Sequence, residues 1–247
     1  MKHEFNASYR TYLPIYLALY ILSLLIFLTY KIDIRYLGGI LIMLFSLLIG
    51  AMVIFTIYNL VISLGTRVYG KPGYLLFSIP AKTSEIMISK FVVNFIWILA
   101  SIFVSVTAMM ISFSLMGFLD DVRSIFGSIW GVLREANFNL FMLIVYVVVL
   151  ITYYISFFMF MFALFNLLYK GERKVLFGIL FYFALSFAIR TIISALSIPG
   201  VLGMIMGDQG SEPTFGALWY IMLIYFLVSA GMIVGTYFLI NKKLELQ

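Results

Sequence analysis

Apolar residues gather along this chain into six blocks, at roughly Tyr12 to Tyr30, Tyr36 to Leu64, Phe91 to Met116, Phe138 to Leu168, Val175 to Ser197 and Ala217 to Ile240. Each is about as long as the roughly 20 residues a helix needs to cross a bilayer, or longer. Backbone polar groups in hydrocarbon must be satisfied internally, which leaves only helices or a closed barrel. Strands of a barrel alternate between apolar and polar positions, and these blocks are nearly continuous. The pattern therefore predicts an all-α, polytopic membrane protein of six transmembrane helices, organised as one transmembrane domain over residues 1–247.

Composition agrees. Apolar residues make up 64% of the chain and charged residues 11%, with a mean hydropathy of +1.14. Soluble domains carry far more charge and less apolar content. The first block follows charge, as a signal peptide does, but it is long and lacks a small-residue cleavage pattern, so it is expected to be retained. With no cysteine, the chain has neither disulfides nor thiol chemistry.

The pI near 9.4 reflects topology rather than nucleic-acid binding. An even number of spans puts both termini on one face. That face, with the segments 65–90 and 169–174, carries Lys2, Arg10, Arg67, Lys71, Lys82, Lys90, Lys170, Arg173, Lys174, Lys242 and Lys243. The opposite face carries only Lys31, Arg35, Arg123 and Arg134. The positive-inside rule then makes both termini cytoplasmic in the cell membrane. The second and fourth blocks would form about 43 and 46 Å of helix, against a hydrocarbon core near 30 Å. Strong tilt, or projection of both helices into the cytoplasm, would account for the excess. Asn59 and Asn166, near their inner ends, fit either.

Chemistry is excluded mostly by what the spans lack. A membrane metalloenzyme needs ligands at depth, and the single histidine, His3, lies in the N-terminal tail. No Asp or Glu falls inside a block, whereas ion-coupled transporters usually keep a carboxylate there. The energy source for any transport is expected on another chain. Gly65-Thr-Arg-Val-Tyr-Gly70-Lys71 fits the phosphate-loop spacing, but Pro72 stands where a magnesium-binding Ser or Thr belongs. It also follows a membrane helix and not a strand, so the match is a decoy.

The segment between the second and third blocks is the most unusual. Gly70, Pro72 and Gly73 break the preceding helix, and Tyr74 to Ile79 is a short apolar element that Pro80 ends. Thr83 and Glu85 then open a new helix. An ordinary turn-rich loop is one reading of these residues. Gly73-Tyr74-Leu75-Leu76-Phe77-Ser78-Ile79-Pro80, followed by Lys82-Thr83-Ser84-Glu85-Ile86 up to Lys90, also resembles the coupling-helix loop of bacterial type-2 ATP-binding-cassette permeases. The motif covers about eighteen residues, and its place between spans two and three of six matches that family.

The resemblance implies that a cytoplasmic ATP-binding-cassette ATPase subunit grips a short coupling helix at Gly73 to Pro80. ATP and Mg would be bound by that partner, with no cofactor, catalytic residue or metal site on this chain. It also implies a second permease subunit, either a copy or a paralogue, and export of a substrate by alternating access. Amphipathic or antimicrobial-type peptides are the first expectation for cargo. Lipid or drug export, a non-transporting scaffold, and an ion-coupled transporter are the alternatives.

Further features fill in the picture. Phe5, Tyr9 and Tyr12, at i, i+4 and i+7, predict a helix lying on the inner membrane surface, or else a frayed tail. Residues 121–134 carry a full helical apolar stripe expected to lie on the outer leaflet. Gly127 and Gly131 within it form a weak G-x-x-x-G signal. The loop 198–216 is a candidate for the short re-entrant helices that cap the pathway in the resembled family. Arg190 is the only charge inside a block, about two turns from its outer end. Either it snorkels to headgroups or it is a candidate gate or cargo contact.

Overall fold

A computed structural model describes residues 2–32, 35–66, 68, 83–115, 124, 127–128, 131, 140–169, 174–206 and 215–245. Six long helices account for nearly all of them: α1 (Lys2–Lys31), α2 (Arg35–Val61), α3 (Thr83–Leu115), α4 (Leu140–Leu168), α5 (Lys174–Met206) and α6 (Phe215–Glu245). A π-helical turn, Ile62–Thr66, prolongs α2. All six are long and apolar enough to cross a membrane, so the chain is an all-α, multi-pass membrane protein.

Excess length is not confined to the second and fourth helices. The longest are α3 and α5, at 33 residues or about 50 Å each. The expected blocks stopped at the first charge or turn residue, and the helices run on through it. Thus α3 opens at Thr83 with Glu85 in its first turn and encloses Lys90, while α5 continues through Pro199 to Met206. The part of 198–216 up to Met206 is therefore a continuation of α5 and not a separate loop. Likewise α1 runs unbroken from Lys2 through Pro14, so residues 2–13 extend the first span instead of forming a separate surface helix. Of 121–134, only Ser124, Gly127, Ser128 and Gly131 are described, all helical, and nothing packs where a Cβ on either glycine would sit. The remainder of that stripe lies outside the described residues.

The chain packs as two compact units: Met1–Leu60 with Val92–Gly131, and Val61–Phe91 with Val132–Gln247. In the first, Leu19 and Ile26 of α1 are buried with Phe45 and Met52 of α2 and Val104 and Ala108 of α3. Lipid is as apolar as leucine, so side-chain packing and polar contacts must hold such helices together. Hydroxyls supply the polar contacts. Tyr16 meets Ser101 at 2.8 Å, Tyr20 meets Thr107 at 2.8 Å, and Ser23 donates to the Ala108 carbonyl at 3.2 Å. The near-constant sequence offset of these pairs makes α1 and α3 parallel.

Where α1 begins its apolar run, aromatic rings take over. Phe5 and Tyr12 both stack on Trp97 of α3, with centroids 4.9 and 4.6 Å away. Seven residues of helix rise about 10.5 Å, the spacing that holds one ring between two others. The i, i+7 pair expected to face the membrane surface thus grips a tryptophan. Phe55 meets Tyr12 edge-on, and the Asn59 amide donates to the Tyr12 hydroxyl at 3.3 Å. Trp97 is only 5% exposed, yet its indole N–H has no partner among the described residues.

In the second unit α4 packs most extensively on α6, and α5 on α6. Tyr153 meets Tyr225 and, further along both helices, Phe160 meets Gly235, so α4 and α6 are parallel. α5 runs the other way, with Phe157 near Tyr182 and Phe165 near Gly178. Buried Ser156, Ser229 and Thr236 return their protons to carbonyls three or four residues back, as hydroxyls do in apolar helices.

Replacing Trp97 separates ring packing from its unpaired donor. Trp97→Ala should cost about 3–5 kcal/mol of unfolding free energy in detergent. Trp97→Phe, which keeps a ring and removes an unsatisfied N–H, should stay within about 1 kcal/mol of the parent. Equal losses in both variants would show that the indole N–H is satisfied after all.

Candidate functional site

Gly73, Tyr74, Leu75, Leu76, Phe77, Ser78, Ile79 and Pro80, the expected coupling element, lie outside the described residues. Their two stems do not. The chain enters the second unit at Val61 and leaves it after Phe91, and the end of α2 packs there on α4. Leu64 and Val68 on one side, and Thr83 and Met87 on the other, border a small pocket closed by Met159 of α4 and Thr236 of α6. Its lining is almost wholly apolar apart from two hydroxyls and Lys90, which is 3% exposed. This pocket lies at the point where the 69–82 segment meets the helices.

The π turn sets the approach. A Cβ on Gly65 would lie 2.9 Å from Cε1 and 3.0 Å from Cζ of the Phe162 ring, so glycine alone lets the end of α2 reach α4 so closely. On α4, the Asn166 amide donates to the Phe162 carbonyl at 2.8 Å, tying the next turn to the residue that meets Gly65. A π turn inserts one extra residue into a helix and is common at functional sites. Here it carries Gly65, the first glycine of the phosphate-loop-like pattern. A phenyl ring packs against it, and the glycine serves that contact.

Arg190 is described. It sits sixteen residues from either end of α5, and the membrane-length apolar stretch Leu176–Ser197 ends about two turns beyond it, as the sequence implies. It is exposed, but the adjoining Ile189 and Ile193 are buried with Tyr153, Phe157, Ile224 and Met232. The Tyr153 and Tyr225 rings meet edge-on at 5.2 Å. Among the described residues, neither hydroxyl has a hydrogen-bond partner, and Arg190 has no ion pair. Sequence reasoning picked out the arginine and missed the tyrosines, which are ordinary apolar-block residues until three helices are brought together.

Among the described residues no group of His, Asp or Glu is placed to hold a metal ion, and the chain has no cysteine. Comparison with known proteins finds no matching family model, no similar curated protein and no similar solved structure.

The Gly65 contact can be tested directly. Gly65→Ala should destabilise the protein by about 1–3 kcal/mol through overpacking against Phe162. Adding Phe162→Leu should recover most of that loss, as measured by a double-mutant cycle on thermal unfolding. Strictly additive losses would remove the contact from the account.

Proposed function

We propose that this chain is the membrane-embedded permease subunit of an ATP-driven exporter of the type-2 ATP-binding-cassette kind. Both termini and residues 69–82 face the cytoplasm of the cell membrane. A cytoplasmic ATPase subunit grips the short element Gly73 to Pro80, binds ATP and Mg, and performs the hydrolysis. Two permease subunits, identical or paralogous, form the pathway, and the cargo is an amphipathic peptide leaving the cell.

One observation carries most of the weight. The two stems of the element that resembles a coupling helix belong to the same compact unit as α4 and α6: the π turn packs on α4 through Gly65 and Phe162, and Thr83 and Met87 line a small pocket together with Met159 and Thr236. A segment meant only to join two spans needs no such seat. A segment that must deliver force does, because a push on a floating loop would be lost in loop motion. The basic bias of the proposed cytoplasmic face, and the absence of acidic residues from the apolar blocks, favour an energy source on a separate chain.

If Tyr74 to Ile79 docks in an apolar socket, Leu75→Asp with Phe77→Asp would bury charge there and cost several kcal/mol of association. Copurification of the ATPase subunit should fall sharply while membrane insertion is unchanged; full recovery with the double variant would sink the docking. The absence of native cysteine makes orientation equally testable. Single cysteines at Lys82, Arg173 or Lys243 should react with impermeant reagent only from the cytoplasm, and those at Asp121 or Glu212 only from outside. Reversed labelling would overturn the orientation.

A further inference from the structure

We propose that the π turn Ile62–Thr66 is a register switch, which turns the root of the 69–82 segment between two rotational settings about 100° apart. A π turn holds one residue more than the α-helical turn it replaces. The same residues can close as an α-helix, and everything beyond them then advances by one position. One position of an α-helix is about 100° of rotation and about 1.5 Å of rise.

The contacts along α2 place the switch where the helix changes phase. Up to Leu60 the helix buries Phe45 and Met52 among residues of α1 and α3, and Thr56 and Asn59 reach Ser101 and Tyr12. Positions 45, 52, 56 and 59 form one helical stripe, whose regular spacing continues at 63, at 66 or 67, and at 70. From Val61 the chain belongs to the second unit, and its contacts there fall instead on 64, 65 and 68. Gly65 meets Phe162, and Leu64 and Val68 line the pocket with Met159 and Thr236. The extra residue stands between the two sets of contacts.

Three features govern the turning. Gly65 lies too close to the Phe162 ring for any residue with a Cβ to take its place, so it acts as the pivot and the residues beyond it turn. The small pocket beside Leu64 and Val68 leaves slack on the face that moves. Closing the π turn would bring Arg67 into the place of Val68, which is buried. That place is apolar apart from two threonine hydroxyls and Lys90, itself buried, and a second cation is costly there. Arg67 therefore biases the chain towards the π setting. The inference rests on the exporter reading only for its purpose: a grip on Gly73 to Pro80 would supply the force that closes the turn. The switching itself requires no ATPase.

The test uses the full chain in neutral detergent. With no native cysteine, a single Val68→Cys reports the register through its rate of reaction with a maleimide. Leu168→Cys, at an exposed position on α4, gives the rate of an open thiol. Arg67→Leu puts an apolar side chain where the closed turn needs one, and should speed labelling of Val68→Cys by about tenfold. Arg67→Lys should leave it near the parent rate. Deleting Thr66 removes the extra residue, so the helix closes with Val68 kept in its pocket, and labelling should slow by about threefold or more.

An unchanged rate with Arg67→Leu would overturn the switch. So would labelling of the deletion variant as fast as the parent, which would make the π turn a static accommodation of one inserted residue. Should the deletion variant not fold, the Arg67→Leu comparison decides alone. Faster labelling with Arg67→Leu, in a chain with which no ATPase copurifies, would keep the switch and sink the exporter reading alone.

Discussion

Hydrocarbon offers no water to a stray donor or acceptor, and that scarcity organises the molecule at every scale. It forces the backbone into helices that close their own hydrogen bonds. It sends the protons of buried Ser156, Ser229 and Thr236 back to carbonyls of their own helices. It makes the hydroxyl contacts Tyr16–Ser101 and Tyr20–Thr107 useful as glue between α1 and α3, where apolar packing alone has no advantage over lipid. Against so consistent a background, one buried group left unmatched among the described residues stands out: the Trp97 indole N–H.

Within the second unit α4 is the common support. Phe160 receives Gly235 of α6 at a distance where a Cβ would lie 2.9 Å from the ring, and Phe162 receives Gly65 of the π turn just as closely. Two turns earlier on the same helix, Tyr153 meets Tyr225 of α6 edge-on, so a single helix supports both α6 and the π turn through its rings.

Much of the fold was legible because it follows from counting apolar residues. Six spans and helical rather than strand structure needed only block length and continuity. Span ends were less legible, since Lys90 and Pro199 read as boundaries in sequence and both lie inside helices. A lysine whose stem and charge are accommodated by neighbours does not end a helix. Phe5 and Tyr12 were read as facing the membrane surface because the partner ring, Trp97, is some ninety residues away in sequence. Arg190 was visible as an isolated charge, whereas the Tyr153–Tyr225 contact joins two helices that no spacing rule links. Gly65 drew attention for a phosphate-loop spacing when its role is contact with Phe162, a case where one residue type serves two different needs for close approach.

The central claim is that the segment between α2 and α3 is held by an ATPase in the cytoplasm. A photo-crosslinking amino acid placed at Phe77 of the full chain, activated in intact cells, tests it most directly. The account predicts a covalent adduct to a nucleotide-binding ATPase subunit, lost when the reactive group is moved to the lipid-length apolar face at Phe187. Adducts to lipid alone from Phe77, with no ATPase captured, would contradict it.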